Sequence, residues 1–199
     1  MGTILQGATL VELEPATVEV ADLRIADGHI VARGDALAPQ EGDEVVPLQG
    51  RVVIPGLVTA HHHLYAVLGQ GMPGFDVDSE DFEELHWGSR WRLQDALDGD
   101  AVQAAATAGA LDALFAGTTT LFDQHASPKA IRGSLLRVAR GVNDVGLRAV
   151  LSYEVSDRSG AVAREEGLEE TVAFHDKARG RFRGMIGAHA SFTDASGAM

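Results

Sequence analysis

The sequence predicts an α/β protein in which an all-β segment precedes strands that alternate with helices. Two observations carry this. From Thr3 to Ile54 the chain is a series of short β-prone runs (TILQGATLVEL, TVEVADLRI, HIVARG, EVVPL, RVVI) separated by turn residues such as Ala26-Asp27-Gly28. Past Pro55, apolar strands alternate with longer helical stretches, the pattern of βα units on a parallel sheet. Residues 1–54 are therefore expected as one segment and 55–199 as another. Strands repeated in this way fit either half of a (β/α)8 barrel or an open α/β sheet.

The units can be followed in order. The first strand is LVTA, Leu57 to Ala60, followed by a Gly-rich loop from Gly69 to Gly74. An acidic helix is expected from about Ser79, a suitable N-cap, to Leu97, and Asp100 is placed to cap the next helix, which Gly117 ends. Strand TTTLFD then runs from Thr118 to Asp123. Ile131, Leu135, Val138, Val142 and Val145 recur at helical spacing, so the next helix lays an apolar stripe on the sheet and stops at Gly146. Strand LRAVLSYEV, a charged helix from about Ala161 to Ala178, and strand FRGMIGAH ending at His189 complete the series.

Composition bounds the function. With 45% hydrophobic and 23% charged residues over 199 positions, the chain has material for a sizeable core and does not read as disordered. A net charge of -13 repels phosphate backbones and anionic membrane surfaces, so neither nucleic acid nor a membrane is an expected partner. The start, MGTILQGATLVELEP, lacks a signal-peptide pattern, and no apolar run nears the roughly 20 residues that span a bilayer, so a cytoplasmic location is expected. The chain has no cysteine, so any tightly held transition metal must use His, Asp or Glu.

Histidines occupy positions 29, 61, 62, 63, 86, 125, 175 and 189. The trio, His125 and His189 fall at the C-terminal ends of expected strands, where parallel α/β architectures build their sites. Strand side chains alternate faces, so His61 and His63 point one way and His62 the other, outward into packing. A His-x-His pair at a strand end can give two imidazoles to one metal; a hydrogen-bonded strand terminus is the competing reading. His29, His86 and His175 read as surface or packing residues. Met72, Trp87 and Trp91 lie in the long stretch after the first strand, where they serve either as core or as a cover over a ligand.

PGLVTAHHHLY following RVVI, with TAHHHLYAVLGQGM, WRLQDALD, GTTTLFDQHASP, GVNDVGLRAVLSYEVSDRSG and GMIGAHASFT in order, resembles the amidohydrolase superfamily. Within it the chain is similar to the SsnA-type aminohydrolases of the chlorohydrolase, guanine deaminase and cytosine deaminase branch. The resemblance implies the first half of a (β/α)8 TIM barrel preceded by a small β-sandwich segment that C-terminal strands complete. It implies His61 and His63 as metal ligands, and His189 and His125 as substrate-binding residues. The cofactor implied is one divalent metal, zinc ahead of iron.

The activity implied is that of an aminohydrolase (deaminase), attacking the sp2 carbon of an N-heterocycle such as a purine, pyrimidine or triazine with activated water and expelling ammonia or an amine. A ring-opening hydrolase of a cyclic amide is the alternative within the superfamily. A hydrolytic site of this kind needs about three protein ligands. In the family the remaining ligands and the proton-transfer residues follow strands five to eight, so they are expected beyond residue 199. The chain is accordingly expected to be the N-terminal half of a longer aminohydrolase, with a catalytically silent fragment as the other reading. The sequence leaves the oligomeric state open, a homodimer included.

Overall fold

The computed structural model describes residues 1–72 and 90–189. The chain divides into two compact units at Gly56/Leu57. In the first, β1 (Gly2–Leu13) pairs antiparallel with β2 (Ala16–Ala26), which pairs antiparallel with β3 (His29–Gly34). β4 (Glu44–Pro47) and β5 (Val52–Val53) both run parallel to β1, giving a five-stranded sheet. Ala8, Leu10, Ala21 and Leu23 form its buried cluster. The register of β1 on β2 slips between Leu5 and Ala8, at Gly7, whose φ of 69° is the left-handed conformation that glycine adopts without strain. Buried Asp22 meets that irregularity: its carboxylate accepts from Gly7 N at 2.7 Å and from Leu37 N at 2.9 Å. Within this unit the described strands make one layer, and Val18 and Val20 on β2 stay exposed.

The second unit starts with β6 (Leu57–His62) and a 3-10 helix (Leu64–Gly69). After it come α1 (Arg90–Ala96), α2 (Gly99–Phe115), β7 (Thr118–His125), α3 (Ser134–Val145), β8 (Arg148–Val155), α4 (Ala161–Lys177), β9 (Phe182–Gly184) and β10 (Gly187–Ala188). The strands are all parallel, in the order β10-β8-β7-β6, with β9 also on β8. Spatial order that follows chain order winds one way only. That is the course of a barrel wall, whereas an open doubly wound sheet reverses at a switch point. Alternation decides the faces: Leu121 on β7 and Ala149, Leu151 and Tyr153 on β8 join a core with Val102, Ala106 and Ala110 of α2, Leu135, Val138 and Val142 of α3, and Phe174 of α4. Thr120, Phe122 and Gln124 therefore lie on the opposite face of β7.

Several elements differ from expectation. Asp98, not Asp100, caps α2: its side chain accepts from the N–H groups of Asp100 and Ala101, because the helix starts two residues earlier than the apolar pattern suggests. The expected single strand FRGMIGAH is two short ones, broken at Met185 and Ile186. Helix α3 begins at Ser134, after the buried Ile131, and ends on Gly146 at φ 93°. Glu170 on α4 accepts from Gly133 N at 2.7 Å and Leu135 N at 3.0 Å, so a neighbouring helix satisfies the amides at the start of α3. The Ser79 cap, His86 and Trp87 lie outside the described residues. Among the described residues, no helix is long and apolar enough to cross a membrane.

Candidate metal centre

β6 ends at His61 and His62, His63 follows as the cap of the 3-10 helix, and a register slip between Thr59 and His62 adds a residue to β6 relative to β7 at this point. The rings of His61 and His63 lie edge to face with centroids 4.8 Å apart. His63 Nδ1 is 2.8 Å from the backbone oxygen of Gln124 on β7. A carbonyl oxygen only accepts, so Nδ1 carries the proton and Nε2 keeps a lone pair. A backbone carbonyl held in this way fixes the tautomer and the ring direction of a metal-ligating imidazole, and the donor set fits a borderline divalent cation. Burial lowers the His63 pKa, against the bond to Gln124 and the charge of Asp123, which raise it, and so favours the neutral ring.

His62 is paired in register with Asp123, and its Nδ1 is 3.8 Å from Asp123 Oδ1. Asp123 is fully buried; Oδ1 accepts from Leu64 N at 2.7 Å, while Oδ2 has no hydrogen-bond partner among the described residues. This carboxylate pins the residue that follows His63. A cleft of about 480 Å³ opens beside the trio, bordered also by Gln70, Arg90 and Asp112. Among the described residues, no group of three or more His, Asp or Glu side chains converges as a complete metal set.

The other expected site residues fall in different places. His189 directly follows β10, and its backbone N–H donates to Val155 O at 3.1 Å. That bond, together with the pairing of Ala188 with Val155, sets His189 at the C-terminal end of the sheet, where β6 also ends. His125 does not line the cleft. It is 1% exposed, on the helix-facing side of β7, with its ring centroid 6.0 Å from both Tyr65 and Tyr153 and Nε2 2.9 Å from Ser127 Oγ. Burial holds its pKa down at about 4. A strand-end position was legible, but the odd-numbered face of β7 is the one the helices cover, which is why the His125 ring is buried rather than facing the cleft.

Trp91 is core, 5% exposed, with the Arg158 guanidinium 5.0 Å from its ring centroid, while Met72 is partly exposed. His29 and His175 are exposed surface residues. Sequence reasoning passed over Asp123, Gln124 and Glu154. Glu154 is buried near the end of β8, where desolvation pushes its pKa up to about 7 against the opposing charges of Arg158 and Arg90. The signal for it was available: a lone carboxylate within the apolar run LRAVLSYEV.

The amidohydrolase family model matches residues 52–199, from the last strand of the first unit through the whole second unit. The chain belongs to the amidohydrolase family. Among its relatives, a 5-methylthioadenosine/S-adenosylhomocysteine deaminase from Desulforudis audaxviator (strain MP104C) is 32% identical over 180 residues, covering 86% of this chain and 39% of that protein. A 5'-deoxyadenosine deaminase from Methanobrevibacter smithii is 28% identical, covering 86% of this chain and 38% of that protein. Among solved structures, atrazine chlorohydrolase from Arthrobacter aurescens TC1 complexed with zinc superposes with a TM-score of 0.77 at 20% identity, over 96% of this chain and 48% of that one. That likeness shows that this amidohydrolase shares the barrel fold, and the chain spans less than half the length of these relatives.

Proposed function

We propose that this chain supplies the metal-pair half of an aminohydrolase that hydrolyses a C–N bond, other than a peptide bond, of an N-heterocycle and releases ammonia. The observation that carries the reading is the His61/His63 pair, 4.8 Å between centroids, with the His63 proton committed to Gln124 O and its Nε2 left for a metal. Relatives named as deaminases of adenosine derivatives favour a purine among the purine, pyrimidine and triazine rings.

His61 and His63 would hold one divalent cation, zinc rather than iron; when bound, it supplies Lewis-acid activation of water. Two imidazoles are part of the set of about three protein ligands that such a centre uses. His189, at the end of β10, is placed to orient the substrate ring. His125, sealed behind Tyr65, supports the β7 end and does not touch substrate. The proposed organisation is an N-terminal segment over residues 1–54 that forms part of a β-sandwich, and the first four barrel strands over 55–199.

Metal titration tests this reading. The chain is expected to take up one equivalent of Zn(II) or Co(II), with affinity falling at least about tenfold in His61→Ala and in His63→Ala, while His62→Ala leaves it near wild type. Equal uptake by all four proteins would remove the pair from the metal site. Ammonia release without a new carboxylate, measured on a protein spanning the full family length, would separate deamination from ring opening.

A further inference from the structure

Building on the metal pair proposed above, we propose that Gln124 is a positioning residue that sets His189 against the His61/His63 pair. Gln124 is bonded in two directions. Its backbone oxygen accepts from His63 Nδ1 at 2.8 Å, and its side-chain Nε2 donates to Ala188 O at 3.1 Å. The sheet order is β10-β8-β7, so this side chain passes over β8 to reach the strand beyond it. One residue thereby ties the ring of His63 to the main chain immediately before His189.

The crossing depends on what lies beneath it. Gly187 pairs with Glu154, and a Cβ at Gly187 would collide with Ser152 Oγ and lie 2.9 Å from Ser152 Cβ, while only touching Gln124 Cδ at 3.4 Å, so glycine lets β10 sit close over Ser152 within reach of the glutamine. β10 is only two residues long and follows the break at Met185 and Ile186. Its ladder is therefore short, and a side-chain bond to Ala188 is a large part of what fixes it. Glutamine suits the task through length and chemistry. Asparagine is one methylene short, and an ionised glutamate would present a second acceptor to a carbonyl that needs a donor.

The test uses the 15N-labelled chain with Gln124→Ala and Gln124→Met, the second keeping the bulk without the donor. In both, His189 N–H is expected to exchange about tenfold faster while the β7 and β8 amides keep their protection. Co(II) is expected to bind with wild-type affinity, because the carbonyl that orients His63 belongs to the main chain, and its line broadening at the His189 amide is expected to change. Unchanged His189 exchange with unchanged broadening in both variants overturns the proposal. So does a uniform loss of protection in both, which would make Gln124 a packing residue. If the wild-type chain takes up no Co(II), the metal reading fails by itself, and the exchange measurement still decides the role of Gln124.

Discussion

Two buried ionisable groups, His125 and Glu154, give the second unit opposite responses to pH. His125 titrates at about 4 in the fold against an ordinary value of 6.5. Between those values the unfolded chain binds the proton that the native chain refuses, so stability is lost as pH falls from about 6.5 to 4. Glu154 titrates at about 7 against an ordinary value of 4.5. Here the native chain keeps the proton that the unfolded chain releases, so stability is lost as pH rises from about 4.5 to 7. At about 1.4 kcal/mol per unit, each limb amounts to roughly 3 kcal/mol and the two largely offset. Substitution should separate them. His125→Phe keeps a ring between Tyr65 and Tyr153, loses the Ser127 bond at a cost of about 1 kcal/mol, and should gain relative to wild type as pH falls from about 6.5 to 4. Glu154→Gln should gain relative to wild type as pH rises from about 4.5 to 7. Urea midpoints across the range from about pH 4 to 8 read both, and parallel curves for all three proteins would refute the assignment.

At the scale of elements, α2 and α3 are packed closely enough to make a small residue obligatory. A Cβ at Gly141 would lie 2.7 Å from Gln103 O, 2.8 Å from Thr107 N and 2.9 Å from Ala106 Cβ, so main chain stands in the way on two sides. Gly141→Ala should therefore destabilise by about 1 to 3 kcal/mol despite alanine's higher helix propensity, the reverse of the result at an exposed helical glycine. Asp98→Ala should cost about 1 kcal/mol through the lost cap, while Asp100→Ala, whose exposed carboxylate pairs with Arg137, should cost less. Thermal or urea unfolding of the three variants checks both orders. The apolar stripe through Leu135, Val138 and Val142 and the β-prone runs were legible in the sequence because burial imposes their period. The choice between Asp98 and Asp100 was not, since either can cap, and neither was the extra residue in β6, which depends on pairing with β7. Nor does spacing mark Gly141, whose need is set by a neighbouring helix. His61 and His63 were readable as a pair from alternation, whereas the burial of His125 required knowing which face of β7 the helices cover.

For the whole molecule, the order of strands sets where protection should be greatest. β7 lies between β6 and β8, and β8 between β7 and the short strands β9 and β10, while β6 and β10 stand at the ends of the described sheet. Parallel strands with a covered face open last when flanked and first when terminal, so amide protection should fall from β8 and β7 toward β6 and β10. The first unit has its own buried cluster around β1 and β2, and its amides report on that sheet alone. A metal held as proposed by His61 and His63 would stabilise what it touches by mass action, because a ligand that binds only the native form shifts the opening equilibrium of the segment carrying it. Zinc at about 100 times its dissociation constant would supply roughly 2.7 kcal/mol, slowing exchange about a hundredfold wherever opening must first release the metal. The expected outcome of hydrogen exchange with and without zinc is thus a pattern with distinct parts: strong slowing at the C-terminal end of β6, slowing at Gln124, whose carbonyl holds the His63 ring, and no change in β1 to β5. His61→Ala should abolish the slowing at both places and leave the first unit as it was. Slowing spread evenly over both units would mean that zinc binds elsewhere than at the histidine pair.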